Sequence, residues 1–197
     1  MAHILKEETT LVIVKPDGVK RGLVGEIIRR IEQRGLKIVA LKMFQATKHE
    51  LEKHYSSADD NLRAMGEKTL ATYTKYGFDP VKEIGTADAI KIGKMVHGWI
   101  VDFMASGPTV KMAVQGIHAV EMVRKLVGNT IPANAEMGTI RGDYSVDSAV
   151  LANAGKRGIR NLVHASGNVA EAEHELKLWF APEEIHAYPR AEEEIMF

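Results

Sequence analysis

Two strand–helix–strand units set what this chain can fold into. Thr10 to Val14 (TLVIV) is a compact, largely β-branched run that reads as a buried strand, and Lys15-Pro16-Asp17-Gly18 closes it with turn chemistry. Apolar residues then fall at Leu23, Val24, Ile27, Ile28 and Ile31, which is helical spacing, and Gly35 sits just past the end as a stop. Leu36 to Phe44 alternates as a second strand does, and a short helix is expected from about Lys48 to Tyr55. The same order returns further on. Thr109 to Val114 reads as a strand, Ala119 to Val127 as a helix, and Asn161-Leu162-Val163-His164 as a strand-like run. A helix over Val169 to Phe180 follows, with Val169, Ala172, Leu176, Trp179 and Phe180 as its apolar positions.

This βαββαβ order predicts an α+β protein of the ferredoxin-like arrangement, a four-stranded antiparallel sheet with helices on its faces. Two stretches fit the pattern poorly. From about 57 to 95 short helices are expected around a Gly-Phe-Asp-Pro turn at Gly77 to Pro80. The stretch is too short to bury a core of its own and reads as an insertion. Val96 to Met104 is apolar at helical spacing and is stopped by Ser106-Gly107-Pro108. A second weakly patterned stretch runs from about 146 to 160, after the Gly/Pro/Asn-rich loop Gly128 to Gly142. The tail to Phe197 is partly acidic and is expected to pack on the surface. The expectation is one domain over 1–197 carrying two insertions.

Composition narrows the chemistry. The 197 residues hold no cysteine, which excludes disulfide scaffolds, thiolate metal sites and cysteine nucleophiles and fits a reducing cytoplasm. Twenty-six Lys and Arg balance twenty-six Asp and Glu, which argues against nucleic-acid binding driven by bulk charge. The opening MAHILKEETT lacks an apolar stretch flanked by basic residues and is not read as a signal peptide. No apolar run approaches the roughly 18 residues of a membrane span.

The common nucleotide motifs are missing. There is no G-x-x-x-x-G-K-[ST], no G-x-G-x-x-G, and His174-Glu175 has no second histidine four residues on. Other constellations remain, each with two readings. Lys15, at a strand end, is either a surface lysine at a turn or an ammonium set beside a phosphate. Arg124, Thr130 and Arg141, on a turn-rich segment, are either solvated or suited to a polyphosphate, which Arg binds bidentately. His164 ends a strand-like run, with Asn161 three residues before it and Ser166-Gly167 opening a helix that carries Glu175. It is either a satisfied core histidine or a nucleophile whose tautomer a carboxylate fixes.

Together these residues resemble the nucleoside diphosphate kinase family. The similarity rests on VKPDGVKRGLVGEIIRRIEQRG (Val14 to Gly35), His54-Tyr55, Ser106 to Pro108, GNTIPANAEMGTIRGDY (Gly128 to Tyr144), NLVHAS (Asn161 to Ser166) and ELKLWFAPEEI (Glu175 to Ile185), in family order. The resemblance implies ping-pong transfer of the γ-phosphate from a nucleoside triphosphate, such as ATP, to a nucleoside diphosphate. By position it implies His164 as the phosphohistidine nucleophile, Glu175 as its orienting carboxylate and Ser166 as a helper. It implies Lys15, Tyr55, Arg124, Thr130, Arg141 and Asn161 as phosphate and ribose ligands. Magnesium is expected on the nucleotide phosphates, with no protein metal ligands. A cytoplasmic homo-oligomer, a hexamer first and a tetramer or dimer otherwise, is expected, with no membrane or nucleic acid required.

Three departures stand out. The family's His-Gly-Ser-Asp is here His164-Ala165-Ser166-Gly167, which adds a methyl and removes an acid. The aromatic that stacks on the base in the family falls at Val96, with His97, Trp99, Tyr76 or Phe78 as alternatives. The two insertions flank the expected cleft. A non-catalytic relative that binds nucleotide is the competing reading. An RNA-binding module of the same fold would need an aromatic-rich strand signature that is missing.

Overall fold

The structure, a computed structural model, describes residues 7–196. The opening residues on which the absence of a signal peptide was read, and Phe197 at the end of the tail, lie outside them. In chain order the elements are β1 (Glu7–Val14), α1 (Pro16–Lys20), α2 (Val24–Gln33), β2 (Lys37–Phe44), α3 (Lys48–His54), α4 (Asp59–Tyr76), α5 (Pro80–Ile84) and α6 (Ala89–Ala105). There follow β3 (Thr109–Ile117), α7 (Ala119–Val127), α8 (Ile140–Tyr144), α9 (Ala149–Ala154), β4 (Val163–Ala165), α10 (Val169–Trp179) and α11 (Glu193–Met196).

The sheet is antiparallel in the order β2-β3-β1-β4, so the ferredoxin-like expectation holds. The central strand explains the uninterrupted run at 10–14. Val12 and Val14 face a core shared with Ile27 and Ile31 of α2 and Val123 and Val127 of α7. Leu11 and Ile13 face the opposite core, with Leu51 of α3, Val101 and Met104 of α6, and Trp179. All four β1 residues are fully buried, because helices cover both faces. Register then places the chemistry. Ile13 pairs with His164, so the histidine side chain stands on Ile13's face, where α10 packs against β1.

The structure corrects several local readings. Lys15-Pro16-Asp17-Gly18 is not a plain turn; Pro16 opens α1, where its missing N–H costs nothing. The stretch 57–95 does not hold only short helices: α4 has eighteen residues. Residue 95, its expected end, falls inside the single helix α6, which joins the segments before and after Val96. α4 and α6 pack so closely that a Cβ on Gly66 would lie 1.8 Å from the Ala89 carbonyl oxygen, and one on Gly93 1.8 Å from that of Leu62. Close backbone approach at two glycines, beside a small apolar cluster of Leu70 and Tyr73 of α4 with Ile92, Val96 and Trp99 of α6, holds this pair, and the glycines weaken the periodic signal. Gly93→Ala should lower unfolding free energy by at least roughly 1–3 kcal/mol, the usual cost of overpacking. Denaturant titration would show it, and unchanged stability would mean that the helices separate easily. The loop 128–142 contains a 3₁₀ turn at Pro132–Asn134 and the start of α8, capped by the Thr139 hydroxyl, which accepts from the Gly142 amide at 3.1 Å. The tail lies along β2: the His186 amide donates to the Val39 carbonyl at 2.8 Å and Tyr188 to that of Ile38 at 3.1 Å.

Candidate active site

His164 is oriented from behind. Its Nε2 lies 3.0 and 3.1 Å from the two Glu175 oxygens. Burial opposes the charge on Glu175, but the hydrogen bond and charge of His164, with smaller contributions from His54 and Ser166, hold its pKa below the usual carboxylate range. An ionised carboxylate only accepts, so Nε2 carries the proton, and in the neutral ring that tautomer leaves the lone pair on Nδ1. Glu175 is itself fixed: the Ser166 hydroxyl donates to it at 2.6 Å and in turn accepts from the Leu11 amide at 3.3 Å.

The departures at 165 and 167 are accommodated. Ala165 pairs with Val12 as an ordinary strand residue. The acid absent at 167 is supplied one turn later, where the Glu171 carboxylate accepts from the Gly167 amide at 2.8 Å and from Asn168 Nδ2 at 3.1 Å. Asn168 caps α10 by accepting from the Glu171 amide at 2.9 Å.

Before β4 the chain makes a tight turn. Leu162 has φ of 69°, and the Val163 amide bonds back to the Asn161 carbonyl at 2.7 Å, a strained γ-turn for a residue with a side chain. Arg141 clamps it. Nε donates to the Asn161 carbonyl at 3.1 Å, Nη2 to that of Val163 at 2.6 Å and Nη1 to that of Gly128 at 2.9 Å. Three of its five donors are thus spent on backbone and two remain. Lys15 Nζ donates to Asn161 Oδ1 at 2.7 Å, and Asn161 Nδ2 donates to the Thr130 carbonyl at 2.9 Å. Burial, followed by the Arg141 charge, lowers the Lys15 pKa to about 8. Burial, followed by Arg124, lowers that of Arg141 to about 10.

Lys15, Tyr55, Val96, Arg124, Thr130, Arg141, Asn161 and His164 all line one cleft of about 1250 Å³. Glu175 and Ser166 stand behind His164 rather than on its wall. Of the alternatives to Val96, none is on that wall. His97 Nε2 is bound to the Tyr55 carbonyl at 2.8 Å, Trp99 packs with Tyr73, Ile84 and Ile92, and Tyr76 and Phe78 are exposed. Phe103 is there instead, and the sequence reading missed it. Val96, Ile100 and Phe103 recur at helical spacing on one face of α6, a signal that would have found it.

His54 was also passed over. Its side chain is covered, with its ring 4.6 Å from that of His164, and its Nδ1 accepts from Trp179 Nε1 at 3.2 Å. Burial, then the His164 charge, pushes its pKa down to about 3. It is therefore neutral, and its 3.5 Å approach to Glu175 is not an ion pair.

These groups set a carboxylate-oriented histidine in a cationic cleft, and comparison with known proteins gives the family. The profile of the nucleoside diphosphate kinase family matches residues 8–69 and 88–185. The chain belongs to the nucleoside diphosphate kinase family. It is a phosphotransferase of that family. A nucleoside diphosphate kinase of Pyrobaculum aerophilum is 52% identical over 178 residues, 90% of this chain and 97% of its own. The crystal structure of an NDP kinase from that organism superposes with a TM-score of 0.90 at 49% identity, covering 92% of this chain and all of the other. A nucleoside diphosphate kinase from Borrelia burgdorferi, solved as a transition-state mimic with bound vanadate and ADP, gives a TM-score of 0.76 at 36% identity and covers 95% of each chain. The part of α4 beyond Thr69, α5 and the turn after it stand outside the family match.

Proposed function

We propose that Nδ1 of His164 attacks the γ-phosphorus of a nucleoside triphosphate, forms a phosphoramidate bond as the bond to the leaving diphosphate oxygen breaks, and then passes the phosphoryl group to a second nucleoside diphosphate. The single observation that carries this reading is the Glu175 bond to Nε2, which leaves Nδ1 as the free nucleophile beside a cationic cleft. Phosphoryl transfer needs positioning and charge stabilisation more than proton chemistry. Lys15, Arg124 and the two spare Arg141 donors supply positive charge, while Thr130, Asn161 and Tyr55 offer hydrogen bonds to phosphate and ribose. Glu175 and Ser166 hold the imidazole.

Magnesium, when bound, neutralises charge between the phosphates. Its ligands would be the phosphates themselves. Among the described residues one trio of metal-ligating side chains lies close together, His54, His164 and Glu175, and its Glu175 oxygens and the facing ring nitrogens are already engaged. Incubation with γ-labelled ATP should give a label that is acid-labile and base-stable. An unlabelled protein would overturn the reading.

Glu175→Gln would keep the shape but remove the charge that fixes the tautomer, and kcat should fall by about 10²-fold, within the range of positioned acid–base effects. ADP affinity, measured by calorimetry, should hardly change. Unaltered kcat would mean that Glu175 does not orient His164. The lowered Lys15 pKa gives a pH signature. The ammonium is the form that meets phosphate, so kcat/KM should fall as pH rises through about 8. Lys15→Arg should move that limb upward; a limb that stays in place belongs to another group.

The assembly we infer is a homo-oligomer, hexameric first, in a reducing cytoplasm consistent with the lack of cysteine. Its support is the exposed Leu41 and Met43 on edge strand β2. Sedimentation of a monomer at micromolar concentration would overturn it. No helix among the described residues is long and apolar enough to cross a membrane.

A further inference from the structure

The turn at Leu162 is held from α1 as well as by Arg141. The Lys15 amide donates to the Leu162 carbonyl at 2.8 Å, and a Cβ on Gly18 would lie 2.8 Å from the same oxygen. The Leu162 amide donates to Asp17 Oδ2 at 3.1 Å. One peptide group, from Asn161 to Leu162, therefore joins two opposite charges. Its carbonyl accepts from Arg141 Nε at 3.1 Å, and its N–H meets the Asp17 carboxylate. The side chain of the same Asn161 accepts from Lys15 at 2.7 Å. Asp17 thus stands behind the residues that face the cleft and is not on its wall.

The second Asp17 oxygen, Oδ1, is buried and has no hydrogen-bond partner. Buried polar atoms are nearly always paired, and a buried charge without a partner is costly unless opposite charge compensates it. Positive charge is what this site holds in excess. Burial, then repulsion from Arg141, pulls the Lys15 pKa down; burial, then repulsion from Arg124 of α7, does the same to Arg141. The Asp17 charge works against both shifts. The other groups around Lys15 are already committed. Burial keeps the Tyr55 hydroxyl and the His54 ring of α3 neutral. Glu175 of α10 is engaged by His164 of β4 and by Ser166. On its far side Asp17 shares a surface crevice with Arg21, Arg160, Asp143 and Asp147, groups of kinds that keep their charge near neutral pH.

We propose that Asp17 is a positioning residue for phosphate binding: its carboxylate pins the turn that carries Asn161 and supplies the negative charge that keeps Lys15 and Arg141 cationic. This rests on the reading of Lys15 and Arg141 as phosphate ligands in the proposed function. It sets a balance, because Asp17 itself repels a phosphate while it sustains the ammonium that attracts one.

Asp17→Asn keeps an acceptor for the Leu162 amide and removes only the charge. The measurement is ADP affinity of the full chain by calorimetry, as the ratio of variant to wild-type Kd at each pH, which cancels the titration of ADP itself. At a pH of about 6 Lys15 is an ammonium in both proteins, so the variant should bind no more weakly than the wild type. Without Asp17 the Lys15 pKa drops below its present value of about 8. At a pH of about 8.5 the ratio should therefore rise to about threefold or more, as loss of a neighbouring opposite charge requires. A ratio that is the same at both pH values overturns the proposal, because a purely structural Asp17 would weaken binding at both. Asp17→Ala, which also drops the acceptor, should melt below Asp17→Asn; equal melting temperatures overturn the pinning role. Should the asparagine variant fail to fold, Asp17→Ser, a smaller uncharged acceptor, must show the same rise with pH. ADP binding needs no phosphoryl transfer, so the two readings fail separately. A missing phosphoenzyme label defeats the phosphohistidine proposal, and a label with a ratio independent of pH defeats this one.

Discussion

His164→Ala should abolish phosphoryl transfer, leaving no labelled protein after incubation with γ-labelled ATP and no transfer from ATP to a diphosphate acceptor. The expected loss exceeds that of every other substitution here, because the covalent intermediate cannot form. The Ser166 hydroxyl offers no substitute: it is fully buried and committed to Glu175. Nucleotide affinity should stay close to the wild-type value, since Lys15, Arg124, Arg141 and Asn161 are untouched. Thermal stability should change little, because His164 is only partly buried and its loss leaves Glu175 bonded to Ser166. A variant that still labels at the wild-type rate would move the nucleophile elsewhere, and the neutral His54 ring beside it would be the first residue to examine.

Arg141→Ala should give the second largest effect and a different pattern. Removing the guanidinium takes away charge at the transferring phosphoryl group, a change that costs about 10³-fold or more where an arginine stabilises such a transition state. It also takes the guanidinium from the carbonyls of Gly128 and Val163 and leaves that of Asn161 only the Val163 amide, around the strained turn at Leu162. Each buried carbonyl left unpaired costs roughly 1–3 kcal/mol, so the melting temperature should fall along with kcat. Arg141→Lys separates the roles. It retains a charge, but an ammonium cannot span three diverging carbonyls, so stability should still drop. Full thermal stability in the lysine variant would mean that the clamp is dispensable for the turn.

Much of this was legible in the chain. The run Thr10 to Val14 announces a strand buried on both sides, and the alternation of the two hydrophobic periods gives the sheet order its precondition. The residues proposed to meet phosphate could be singled out because Lys, Arg, Thr and Asn at turn-rich strand ends suit such a ligand, but their roles came from the family resemblance. Phe103 was readable too, through its helical spacing with Val96 and Ile100.

Other features depend on contacts between residues far apart in sequence. The close approach of α4 and α6 depends on Gly66 and Gly93, and two glycines carry no periodicity. The acid lost at 167 returns from Glu171 because a capped helix brings that carboxylate back over the turn. His54 reaches His164 only because α3 and α10 pack on the same face of the sheet. What the sequence alone determined was the order of strands and helices and the kinds of groups available, since those follow from local periodicity and side-chain chemistry. What only the tertiary structure decided was which nitrogen of His164 is free, how Arg141 divides its donors, and that Arg141 and Asp17 meet the two ends of the Asn161–Leu162 peptide. Those are matters of distance between segments, set by packing, and no local pattern encodes them.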